Sequence, residues 1–151
     1  MTVLDQLQAD LHAAGVRHFK ASELLRVRWP EIAARVGVLT PYFSPTPSQR
    51  AELVVVASLA DKLRERFGGP ITVLNGLRPK AYNAEVGGAK GSQHLYGRAL
   101  DLTAKDIARL RGVALDLYRE GLIGGLGLYR GNIHIDTRPG QRIWGSQAPK
   151  D

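Results

Sequence analysis

The chain is expected to fold as one α+β domain, a small antiparallel central sheet flanked by helices, and three observations lead there. Apolar residues recur at helical spacing through the first 67 positions, whereas runs that alternate like strands come after residue 70. Two of those later runs are joined by a tight Gly-Asn turn, the mark of a hairpin and hence of antiparallel pairing. The length of 151 residues suits a single core.

Taken in order, Val3, Leu4, Leu7, Leu11 and Ala14 share one face of a first helix that ends near Gly15. In Phe19-Lys-Ala-Ser-Glu-Leu-Leu, Ser22 is placed as N-cap or first-turn residue of a second short helix. Pro30 opens a third, because proline at the first helical position gives up an N–H that has no partner there. Three prolines between Thr40 and Ser48 mark a loop. That loop joins an N-terminal helical segment, residues 1–46, to a core at residues 47–138.

The longest helical pattern runs from Ser48 to about Phe67, with Leu53, Val56, Leu59, Ala60 and Leu63 on one face. Arg64 and Arg66 near its end and the Gly68-Gly69 stop agree with the helix dipole and with C-capping. Ile71–Leu74 is a short β-type run, and Arg78–Gly91 reads as loop. Ala99–Thr103 alternates as a strand, after which Thr103 is expected to cap a helix over residues 104–120 with Asp106 at its third position. Gly127–Arg130 and Ile133–Thr137 form the hairpin, and residues 139–151 are expected to be an irregular tail.

Composition narrows the chemistry. There is no cysteine, so disulfides and thiolate ligands are excluded and any metal must be held by nitrogen and oxygen. The N-terminus lacks the basic start and apolar run of a signal peptide, and no stretch is long enough for a membrane span. The protein is therefore expected to be cytoplasmic as synthesised, with no membrane partner. A net charge of +7 suggests an anionic partner, although a solvated cationic surface accounts for it equally well. The basic residues are scattered, without an arginine-rich run or aromatic-basic motif, so nucleic acid is not the expected partner. Oligomeric state is left open.

The strongest local signal is Ser92-Gln-His-Leu-Tyr-Gly-Arg-Ala-Leu-Asp101, followed about thirty residues later by Asn132-Ile-His-Ile-Asp136. His94, Asp101 and His134 offer two imidazoles and a carboxylate, a set that zinc takes in catalytic sites while keeping a fourth position open. In the hairpin strand, alternation sends Ile133 and Ile135 to the core and leaves His134 and Asp136 together on the other face. The competing account is a structural His–Asp hydrogen bond with a buried strand histidine.

The order S-x-H-x-x-G-x-A-x-D resembles the D-Ala-D-Ala metallopeptidase family, which includes zinc D,D-carboxypeptidases, VanX-type dipeptidases and phage L-alanyl-D-glutamate endolysins. The hedgehog signalling domain is a distant relative. The resemblance extends over Phe19–Leu24, Leu77–Lys90 and Gly127–Asp136, roughly residues 19 to 138. It implies a hedgehog-like fold and Zn2+ held by His94, Asp101 and His134. It also implies an arginine, here Arg78, that stabilises the oxyanion or clamps a substrate carboxylate. Ser92 and Tyr82 become candidate substrate contacts, with Tyr82-Asn83 and Gly87-Gly88 shaping a groove; by themselves those residues read as turn chemistry.

The chain departs from the family pattern in one respect. Many relatives carry Glu or Asp three residues before the second histidine, where this chain has Gly131, and others carry histidine where it has Asn132. Asp136 is then the nearest carboxylate to serve as general base, with orientation of an imidazole as its other role. His12 and His18 receive no role, and Trp29 and Trp144 are expected as core or docking aromatics.

The function expected is a zinc metallopeptidase hydrolysing a bond in the peptidoglycan stem peptide, of carboxypeptidase or endopeptidase type, acting on the cell wall after release like a phage lysin. The alternative is a non-catalytic zinc-binding module of a wall- or phage-tail-associated protein.

Overall fold

The computed structural model describes residues 1–150. Its helices are α1 (Val3–Ala13), α2 (Ala21–Leu25), α3 (Pro30–Arg35), α4 (Pro47–Phe67), α5 (Lys80–Glu85) and α6 (Ile107–Arg119). Its strands are β1 (Thr72–Asn75), β2 (Ala99–Thr103), β3 (Gly125–Leu128), β4 (Ile133–Asp136) and β5 (Arg142–Trp144), with a single 3-10 turn at Gln93–Tyr96. The α+β architecture is as the sequence predicts. No helix among the described residues is long and apolar enough to cross a membrane.

The strands form one sheet in the order β1-β2-β4-β3-β5. The first four pair antiparallel, and β5 joins β3 in parallel. The first four strands are the antiparallel sheet that the sequence predicts, and β5 corrects the expectation of an irregular tail. Three residues are too few to display alternation, and β5 is ordered by the free edge of β3 rather than by a pattern of its own.

The long helix is specified at both ends. Thr46 Oγ1 accepts from Gln49 N–H while the Gln49 side chain accepts from Thr46 N–H, a closed capping box around Pro47. Gly68 ends the helix in the left-handed region. The buried face of α4, with Leu53, Val56, Leu59 and Leu63, meets α1, α6, β2 and β4. Leu100, Leu102, Leu126, Leu128, Ile133 and Ile135 answer from the sheet. Leu7, Leu11 and Leu24 belong to the same cluster, so residues 1–46 share this core.

Two local expectations need correction. Asp106 is itself the N-cap of α6, accepting from Arg109 N–H, so the helix starts at Ile107 and not at Ala104. The expected loop after Arg78 contains α5, which is only 6 residues long and leaves no periodic trace in the sequence.

With one face of the sheet covered by helices, alternation sends every second strand residue to the opposite face. There the register aligns Asn75, Asp101, His134, Gly127 and Trp144 in a single row across all five strands. Asn75 reaches that row because a bulge between Val73 and Asn75 re-aims it.

Gly97, with φ 74°, turns the chain from the 3-10 turn into β2, and a Cβ there would lie 2.7 Å from the Gln49 carbonyl oxygen in the first turn of α4. Gly97→Ala is expected to cost about 2–4 kcal/mol, from strain and from this close approach. Gly112→Ala, on the exposed side of α6 with open space around it, is expected to add about 0.5–1 kcal/mol. Urea unfolding of the two variants checks the contrast.

Candidate metal centre

Three side chains from three elements converge. His94 comes from the 3-10 turn, Asp101 from the middle of β2, and His134 from β4, directly opposite Asp101 in the antiparallel register. One ligand atom from each can be chosen so that all lie within 4.8 Å of one another. His134 Nδ1 is 3.2 Å from Asp101 Oδ1, and His94 Nε2 is 3.2 Å from Asp101 Oδ2.

Each imidazole is held by its other nitrogen. His94 Nδ1–H donates to the Gly76 carbonyl oxygen at 2.7 Å, which leaves the Nε2 lone pair free. Gly76 itself is forced close to α2, since a Cβ there would meet the Leu24 carbonyl oxygen at 2.2 Å. His134 Nε2–H donates to Asp136 Oδ2 at 2.7 Å, which leaves Nδ1 toward Asp101. Asn75 Nδ2 donates to Asp101 Oδ2 at 3.1 Å.

The donor set fits a zinc-class cation. His94 is 1% exposed and its Nε2 is buried with no hydrogen-bond partner, despite its nearness to Asp101. Ring and carboxylate therefore face a shared point rather than each other. Nitrogen and oxygen donors in that arrangement suit Zn2+. Burial pushes the Asp101 carboxyl up, but the imidazoles of His94 and His134 beside it overcome this and hold the group well below the usual carboxylate range. Burial pulls His134 down, and the carboxylates of Asp101 and Asp136 reverse this, raising it above the ordinary histidine value.

Asp136 is not placed as a general base. It is 0% exposed, lies behind His134, and receives Arg138 N–H at 3.1 Å, Nε–H at 2.9 Å and Nη2–H at 2.7 Å. Burial raises its carboxyl, and the bonds from His134 and Arg138 more than offset that. The carboxylate fills the space above Gly125, where a Cβ would come within 2.2 Å of it. Its position against His134 Nε2 is that of the other role the sequence offers, orientation of an imidazole.

The ligands open on a cavity of about 510 Å3 lined also by Arg78, Ser92, Gln93, Tyr129, Asn132, Arg138, Arg142 and Trp144. Arg78 is half-buried with its Nε unpartnered, and its Nη2 is 3.4 Å from Ser92 Oγ. Burial lowers its pKa, yet a guanidinium stays charged. Ser92 also caps the 3-10 turn, accepting from His94 N–H.

Tyr82 does not contact the cavity, which corrects its reading as a substrate contact. It is 1% exposed, packs edge-on against Phe43, and its hydroxyl accepts from Trp29 N–H. Asn83 and Gly88 likewise build the turn, with Asn83 Nδ2–H donating to the Ala89 carbonyl. Sequence reasoning missed Asn75, Tyr129, Arg138, Arg142 and Trp144. No local pattern marks the last two, because the three residues of β5 are too few to alternate.

The chain matches the family described as Peptidase M15 over residues 17–136. It is also 43% identical over 56 residues to the zinc D-Ala-D-Ala carboxypeptidase of Streptomyces albus G, an alignment covering 36% of this chain and 22% of that protein. The matched stretch thus spans about a fifth of that relative's length.

Because the Asp136 carboxylate accepts from His134 Nε2–H, Asp136→Asn is expected to weaken zinc binding about 10- to 100-fold. Competition against a chromophoric chelator measures this, and an unchanged affinity would remove the orienting role.

Proposed function

As the chain belongs to the peptidase M15 family, we propose that it is a zinc-dependent peptidase that hydrolyses a peptide bond in the stem peptides of peptidoglycan. The observation that carries this reading is the convergence of His94, Asp101 and His134 on a point that opens into the cavity. A zinc ion bound there supplies a Lewis acid for the scissile carbonyl and lowers the pKa of water in its open position to about 7.

The residues of the chain do the rest. His94 and His134 present lone pairs fixed by Gly76 and Asp136, so the centre is organised before metal or substrate arrives. Arg78 brings a permanent, desolvated charge to the cavity, suited to the negative charge that develops on the carbonyl oxygen during amide hydrolysis. Ser92 steadies the turn that carries His94 and offers its hydroxyl beside Arg78. In this reading the protein works on the cell wall after release, in the manner of a phage lysin.

One observation favours a second reading. Among the described residues, Asp101 is the only carboxylate lining the cavity, and it belongs to the ligand set. With Asp136 withdrawn behind His134, no side-chain carboxylate among the described residues stands ready to take a proton from water. A zinc-binding module without peptidase activity, on a wall- or phage-tail-associated protein, shares this geometry.

Metal analysis and muropeptide digestion separate the two. The peptidase binds about one zinc per chain and releases new amine ends, whereas the inert module binds zinc and leaves muropeptides intact. Arg78→Ala is expected to keep zinc and lower kcat about 100- to 1000-fold. His94→Ala and Asp101→Ala are expected to lose the metal, and with it the rise in melting temperature that zinc gives the wild type. Unchanged zinc content in those variants would end the assignment of ligands.

A further inference from the structure

Residues beyond 136 lie outside the family match, yet they supply a wall of the cavity. In β5, Arg142 pairs with Gly125 and Trp144 with Gly127. Ile143 between them packs against the core, so Arg142 and Trp144 share the face that carries His134. Trp144 leans into the room that Gly127 leaves, where a Cβ would lie 3.0 Å from its Nε1, and its ring centre is 5.2 Å from that of His134.

This wall is built of donors. The Trp144 indole N–H donates to Tyr129 Oη at 2.7 Å, so the phenol has its own proton left to give. The Arg142 guanidinium stands 5.4 Å from the Trp144 ring, and no ion pair of the described residues includes it. Arg138 flanks the same ring at 4.9 Å, but Asp136 neutralises it. With His134 and two arginines around the indole, the ring is not a bare platform for a sugar. Among the described residues, the positive charge here that no carboxylate pairs is that of Arg142.

We propose that Arg142, braced on Trp144 and accompanied by the Tyr129 hydroxyl, forms a subsite for a free carboxylate of the substrate and so selects which bond reaches the metal. The identity of that substrate rests on the peptidase reading, while the anion site rests on the wall itself. A forked guanidinium can hold a carboxylate through two parallel N–H···O bonds, and an aromatic brace reduces the side-chain freedom lost on binding. In a stem peptide the carboxylate comes from a terminal D-alanine or from the α-position of D-glutamate.

The test titrates zinc-loaded, 15N-labelled protein with two acid and amide pairs, following the Trp144 indole signal. The pairs are N-acetyl-D-alanyl-D-alanine with its carboxamide, and L-alanyl-D-glutamate with L-alanyl-D-isoglutamine. The wild type is expected to favour the acid about tenfold or more in one pair, which identifies the source. Arg142→Gln is expected to abolish that preference by weakening the acid alone, at unchanged zinc content and melting temperature, and Arg142→Lys to retain part of it. Equal binding of acid and amide, binding of none of the four, or a preference that survives Arg142→Gln would overturn the proposal. Muropeptides left intact by a protein that still prefers the acid would instead count against the peptidase reading.

Discussion

Everything at the metal centre depends on strand register. Asp101, His134 and Trp144 come from different strands and meet because they stand in one row of the sheet. A slip of one residue between β2 and β4 would turn His134 toward the helices and bring Ile133 or Ile135 to the open face. What prevents the slip is on the other side. Leu100, Leu102, Ile133 and Ile135 are all fully buried, and burying each contributes about 1.5–3 kcal/mol. The polar row does not need to hold itself together, because the aliphatic row behind it fixes the positions.

A second tier of contacts converts position into orientation. Gly76 fixes one imidazole through a carbonyl, Asp136 fixes the other through a carboxylate, and Arg138 fixes Asp136. Burying a carboxylate is expensive unless opposite charge and hydrogen bonds accompany it. Arg138 meets that condition with three donors, and the contact is local, two residues along the chain. The closing segment of the protein is therefore tied to the centre by charge at Arg138 and by backbone pairing at β5.

Much of this was legible in the sequence, for reasons that also mark the limits. Alternation in Ala99–Thr103 and Ile133–Asp136 fixes which residues leave the core, and the spacing from His94 to Asp101 suits a turn feeding a strand. Alternation reports a face and not what stands on it, so His134 and Asp136 looked equivalent. Only the three-dimensional arrangement shows that one faces the opening and the other is sealed behind it. Tyr82 misled because a tyrosine in a turn-like stretch has no local mark of burial; α5 and its contacts with Phe43 and Trp29 decide the matter. Asn75 was invisible because a bulge breaks the parity that a reader of strands relies on. β5 was invisible because a parallel edge strand is paired at long range, with no hairpin to announce it.

Strand β3 gives the centre no functional group at all. Gly125 leaves a slot for the Asp136 carboxylate and Gly127 a slot for the Trp144 indole. The floor of the receptacle is thus defined by missing atoms, and its depth is a property of two residues without side chains. A search restricted to reactive groups would pass over both. In chains built on this plan, a methyl group gained at one place would displace the Asp136 carboxylate and at the other would crowd the Trp144 ring, while every chemically active residue remained in the sequence.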